Sequence, residues 1–148
     1  MTAHELSRDE IDASLRDAGA GVLSLTDGGE TYAVPESFGY DGDHIYFQSV
    51  YTDDSRKMAF IETTDLATLT VFTECPAESV IVRGRLGAVP DDEAIPARRA
   101  IAANATIPAL NVSPDTPTED LEFTLYRLAP EEISGRRFGP TGDLLDGA

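Results

Sequence analysis

The stretch YTDDSRKM, residues 51–58, holds the only lysine of a chain that carries 27 acidic residues and a formal net charge of −16. Ser55 stands where a loop turns into a helix, so its hydroxyl can cap the helix while the first backbone N–H groups point outward, unpaired and partly positive. Arg56 adds a planar fork that grips two phosphate oxygens at once, and Lys57 adds a mobile point charge. The three together suit a phosphate monoester. One unit charge at 4 Å contributes roughly 4 kcal/mol at an effective dielectric of 20, so two cations and a helix terminus can reverse the field of an acidic protein locally. Asp53 and Asp54 act against this unless they turn to solvent or tie the arginine down. A solvated helix start with a surface Arg–Lys pair is the alternative reading of the same residues.

Other residue types able to do chemistry are sparse. His4 and His44 are the two histidines, far from each other and from any cysteine, and do not make a metal site; they read as structural or surface residues. Cys75 precedes Pro76 at a strand end without a nearby histidine and reads as a buried, inert thiol. Arg83 and Arg85 alternate along one strand and share a face, directed either at a ligand or into ion pairs over the acidic surface. Arg136 and Arg137, after Gly135, present the same choice.

The elements that must position these residues follow from periodicity and turn chemistry. Ser7 and Glu10 make a capping box, and Leu6, Ile11, Leu15 and Ala18 recur at helical spacing until Gly19 stops the pattern. GVLSLTD, TYAVPESFGY and HIYFQSV then read as three strands joined by hairpin turns at Asp27-Gly28-Gly29 and Asp41-Gly42, with a bulge or a sheet edge at Pro35. SRKMAFIETT predicts two helical turns, LATLTVFTE and SVIVRGRLGAV two more strands, and DDEAIPARRAIAANA a third helix with Pro96 in its first turn. After a Pro-punctuated loop, LEFTLYRLAP and EEISGRRF predict the last strands. The expectation is a mainly β protein with six or seven antiparallel strands in a closed or split barrel with flanking helices. It forms one domain over 1–140, followed by a tail over 141–148.

Hydrophobic residues make up 41% and are spread along the chain, so the acidity belongs to a folded surface. Such a charge disfavours any sequence-independent hold on nucleic acid or anionic lipid, because both need a basic footprint. The dispersed carboxylates repel one another in dilute buffer, and ionic strength near 1 M shortens the Debye length to about 3 Å, which points to a halophilic archaeon as the source. A lone cysteine fits a reducing compartment. The start MTAHELSRDE lacks a basic region and an apolar run, and no stretch of about 18 apolar residues occurs, so neither signal peptide nor membrane span is expected and the location expected is cytoplasmic.

The run IYFQSVYTDDSRKMAFIETTDLATLTVF resembles the FMN-binding split barrel of the pyridoxamine 5′-phosphate oxidase-like superfamily. In that fold an aromatic strand end, a Tyr-Thr, a Ser-Arg-Lys and a helix form the flavin phosphate site. PESFGYDGDHIYF resembles the flavin-facing hairpin of nitroimidazole-reductase-like members, and ESVIVRGRLGAV is similar to the Val-x-Gly-Arg strand that follows. The resemblance implies that Ser55, Arg56 and Lys57 hold the FMN phosphate, that Tyr51 and Thr52 line the pocket, and that Gln48, Ser49 and Arg83 join the cofactor set. Gln48 stands where many nitroimidazole-reductase-like members carry histidine, and no Arg-x-His follows near the C-terminus, so pyridoxamine phosphate is not the substrate implied. What is implied is a homodimeric FMN-dependent oxidoreductase that passes hydride from a reduced nicotinamide to a small acceptor. A deazaflavin coenzyme in the same pocket, or a flavin carrier or sensor without turnover, are the other readings.

Overall fold

The computed structural model describes residues 3–51, 55–104 and 122–139. The N-terminal helix α1 (Arg8–Ala18) begins as its sequence dictates. Ser7 Oγ accepts the Glu10 N–H at 3.2 Å and Glu10 returns a carboxylate to the Ser7 N–H at 2.9 Å, while Gly19 closes the helix at φ 68°. Leu15 and Ile11 face the core. The short strand β1 (His4–Glu5) precedes it, and β2 (Ala20–Asp27) and β3 (Glu30–Ser37) form a hairpin across Gly28-Gly29. Next come β4 (Gly39–Tyr40), β5 (Ile45–Tyr51), α2 (Arg56–Thr63), β6 (Leu66–Glu74) and β7 (Ala77–Ala88). A 3₁₀ turn (Asp91–Glu93), α3 (Ala94–Asn104) and β8 (Glu122–Arg137) complete the described chain. The expected tail over 141–148 and the whole of the Pro-punctuated loop lie outside the described residues.

All strand pairs are antiparallel, in the order β3-β2-β6-β7-β8-β5-β4, with β1 added beside β8. The two ends of this path, β3 and β4, are separated in the chain by Phe38 alone. A sheet whose opposite edges are one residue apart in sequence must curl until they meet, which gives a half-open barrel. Leu23, Leu69 and Val82 stand opposite one another across β2, β6 and β7 and fill its inside, with Val71, Val80, Phe38, Phe47 and Leu128. The mainly β split barrel with short helices is thus the observed fold.

Three local expectations change. The run TYAVPESFGY is divided at Phe38, so β3 pairs with β2 while β4 and β5 sit at the other end of the sheet, and the three strands are no simple meander. LEFTLYRLAP and EEISGRRF form one strand, because the ladder shifts register between Arg83 and Gly84, placing Pro130 opposite Gly84, where a side chain would overlap the Ala129 carbonyl. Cys75, expected to be buried, is exposed at the β6–β7 turn, where the hairpin runs past the core and Thr73 and Glu74 are exposed too. Pro35 lies on the edge strand β3, as its missing N–H requires.

The β4–β5 turn is organised by one carboxylate. Asp41 accepts the N–H groups of Asp43 (2.8 Å) and His44 (2.7 Å) and the Tyr46 hydroxyl (2.9 Å). Burial opposes the Asp41 charge, but these donors outweigh it and hold the carboxyl below its ordinary range; burial and the Asp41 charge push Tyr46 up to about 12. A lowered folded-state value contributes stability above the ordinary 3.8 that is lost as pH falls through the folded value. Acid-unfolding curves of wild type should therefore fall more steeply below pH 3.8 than those of Asp41→Asn; parallel curves would refute the assignment.

Candidate functional site

The site grows from α2. Ser55 is its N-cap, with Oγ accepting the Met58 N–H at 3.4 Å and its carbonyl accepting the Ala59 N–H at 3.2 Å. The N–H groups of Arg56 and Lys57, in the first turn, are left by helix geometry to donate outward. The other end of α2 is clamped to β2: the Thr64 hydroxyl accepts the Thr26 N–H (2.9 Å) and the Thr63 hydroxyl donates to the Thr26 carbonyl (2.8 Å).

Arg56 and Lys57 have opposite environments. Arg56 is exposed, its guanidinium carbon 5.7 Å above the Tyr32 ring and 6.0 Å from Phe60, and these two rings stack at 5.2 Å and 19°. Lys57 is 2% exposed and forms an ion pair at 2.5 Å with Glu36, which is 4% exposed. The expected mobile surface cation is therefore a buried, engaged one. Lys57, Met58, Phe60 and Ile61 make up the buried face of α2, and Lys57 sits one turn before Ile61 on that face. Burial pushes the Glu36 carboxyl up, with Lys57 opposing the shift.

Gln48 lines a cleft of about 300 Å³ with Val89, Asp91, Ala94, Arg98 and Thr124, between β5, β8 and the start of α3. Ser49, the next residue, is buried beside the core and pairs in register with Thr124; strand alternation sets the Gln48 and Ser49 side chains on opposite faces. Tyr51 ends β5, and Thr52, Asp53 and Asp54 lie outside the described residues. Arg83 is exposed and pairs with Glu132 at 3.3 Å, and Arg85 pairs with Asp65 and with Glu131. Both arginines thus lie along the acidic surface in ion pairs. Arg137 pairs with Glu78 and Glu10.

Sequence reasoning missed Tyr32, Phe60 and Glu36. The signal was the alternation in β3, where Tyr32, Val34 and Glu36 share the inward face while Thr31, Ala33 and Pro35 are exposed. His4 lies within 3.6 Å of Glu10, and the His44 ring is 6.0 Å from Tyr46. No group of potential metal ligands occurs among the described residues, and no helix among them is long and apolar enough to cross a membrane.

Comparison with solved structures places the fold among known ones. An FAD-binding protein from Mesorhizobium loti superposes with a TM-score of 0.73 at 20% identity, covering 94% of this chain and 100% of that one. A candidate 5-nitroimidazole antibiotic resistance protein from Bacteroides thetaiotaomicron gives 0.69 at 20% identity, covering 91% and 87%. The FAD-binding protein from Mycobacterium smegmatis gives 0.61 at 22% identity, covering 92% and 100%. None of the curated proteins matches the chain. The family model described as pyridoxamine 5′-phosphate oxidase matches residues 7–137, from the cap of α1 to the end of β8. The chain belongs to the pyridoxamine 5′-phosphate oxidase family.

Proposed function

We propose that the protein binds FMN, with the phosphate held at the start of α2, and that it acts as an oxidoreductase of the nitroimidazole-reductase-like branch. The observation that carries this reading is the exposed Arg56 beside a Ser55-capped helix start, within a chain of this family. The donor set fits a phosphate: Arg56 offers its guanidinium and N–H, while Lys57 contributes its N–H, its ammonium being engaged by Glu36. Tyr51, Thr52 and Gln48 complete the proposed cofactor set, whereas the buried Ser49 and Arg83, ion-paired with Glu132, are left out of it. Structural relatives described as FAD-binding support a flavin of some kind. A bound flavin supplies hydride transfer, here from a reduced nicotinamide to a small acceptor, while the chain binds and orients it.

The absorption spectrum of the purified protein tests this. Two bands of oxidised flavin that bleach with a reduced nicotinamide and recover with acceptor are expected. A single band at shorter wavelength assigns the deazaflavin coenzyme instead, flavin without turnover a carrier or sensor, and no bound chromophore after reconstitution overturns the reading.

The proposal includes a homodimer. Ile81 and Phe138 line a cleft of about 280 Å³ on the outer face of β7 and β8, and Phe72, on β6 opposite Ser79, is 62% exposed. A second copy would cover this apolar surface. Light scattering that gives a 15.9 kDa monomer with flavin bound would remove the dimer. A cytoplasmic location and a halophilic source also belong to the proposal, on the net charge of −16. The melting temperature should rise from low to molar KCl as self-repulsion is screened; a flat or falling curve would count against that source.

A further inference from the structure

Arg56 differs from most cations of the protein in what holds it. Among the described residues Arg8, Lys57, Arg83, Arg85, Arg127 and Arg137 each pair with a carboxylate, as expected in so acidic a chain. Arg56 instead lies over Tyr32, 5.7 Å from the ring centroid, with Phe60 stacked on that ring from α2 itself. An aromatic face holds a guanidinium in place without neutralising it, so its charge and its in-plane donors stay available.

One strand face supplies both anchors of the helix start. Tyr32 and Glu36 lie on the same side of the edge strand β3, four residues apart. Tyr32 meets Arg56 and Glu36 meets Lys57, two adjacent residues in the first turn of α2. The buried Lys57–Glu36 pair fixes how the first turn sits on β3, and that placement sets Arg56 over the ring. An arginine loses much rotamer freedom when it grips an anion, and a side chain already held loses less.

We propose that Tyr32 is a positioning residue that makes the α2 start selective for a phosphate-bearing flavin over its unphosphorylated form, by holding Arg56 on its ring. This rests on the reading that the start of α2 takes the cofactor's phosphate. Tyr32 acts through Arg56 and touches no reacting atom in this scheme.

The experiment measures dissociation constants of FMN and riboflavin by fluorescence quenching for wild type, Tyr32→Phe, Tyr32→Leu, Arg56→Ala and the Tyr32→Leu/Arg56→Ala double variant. Leucine keeps apolar bulk on β3 and removes the ring, so the fold is retained where alanine could undo it. Tyr32→Leu should weaken FMN by about tenfold, the size of a partly desolvated cation–π contact, and leave riboflavin within about twofold. Tyr32→Phe, which keeps the ring, should bind both as wild type does. In the Arg56→Ala background, Tyr32→Leu should add nothing. Equal weakening of FMN and riboflavin, or a Tyr32→Leu effect that persists without Arg56, overturns the positioning role. FMN affinity unchanged in Arg56→Ala removes the phosphate site itself, and the inference falls with it. An Arg56→Ala effect without any Tyr32→Leu effect leaves the site standing and refutes only the role of Tyr32.

Discussion

Lys57→Ala is expected to destabilise the protein by about 3–5 kcal/mol, because it leaves the Glu36 carboxylate buried without its counter-charge. A lysine on the surface of a helix start would cost far less. The loss should depend on pH. Burial already raises the Glu36 carboxyl and Lys57 restrains the rise, so removing Lys57 lifts the folded-state value further above the unfolded one. A raised folded value gives stability that is complete below the ordinary 4.5 and lost as pH climbs through the folded value. Urea denaturation should therefore show a larger deficit for Lys57→Ala at pH 8 than at pH 5. Replacing both partners, as Lys57→Met with Glu36→Met, should recover most of the loss, since a buried ion pair and an apolar pair of similar volume are often close in stability. A small, pH-independent deficit for Lys57→Ala would mean that the pair is not buried in solution.

Gly39→Ala should be among the most damaging of the conservative substitutions. A Cβ there would overlap the backbone of Ala100 and Ile101, so the obstacle is the axis of α3 and not a side chain that could swing aside. The helix must lift from β4, and with it the buried hydrogen bond from Asn104 Nδ2 to the Phe38 carbonyl at 2.9 Å. The expected cost is about 3 kcal/mol, the upper part of the overpacking range. Gly29→Ala is the control. Nothing lies within 4 Å of its Cβ position, so its effect should stay within about 0.5 kcal/mol. Equal midpoints for the two variants would show that α3 does not pack on β4 as described.

Much of the fold was legible because its signals are local. The Ser7–Glu10 box, the Gly19 stop, the hairpin glycines and the three helical segments depend on neighbours a few residues away, and each appears where its chemistry required. Sheet order is set by pairings between distant segments, and no local pattern showed that Phe38 separates the two edges of the sheet. Pro130 looked like a strand end because the glycine that accommodates it, Gly84, lies on another strand. In the site, Ser55 was readable as a cap and Arg56 as an exposed cation. Lys57 was not read correctly, since its charge drew attention away from its place on the apolar stripe of α2. Only the inward register of Glu36 could have shown where that charge was spent.

The strand β8 lies between β7 and β5 and also carries β1, so the first and the last described strands of the chain meet on it. During synthesis β8 leaves the ribosome after every other element described. Until then β5 has no long partner among the described residues, and the edge of β7 that β8 will cover is available to other chains. The hairpins β2–β3 and β6–β7 can form early, but closure must wait until β8 has emerged. Folding should accordingly be slow for a domain of this size, and it should stop short of closure in nascent chains truncated before β8.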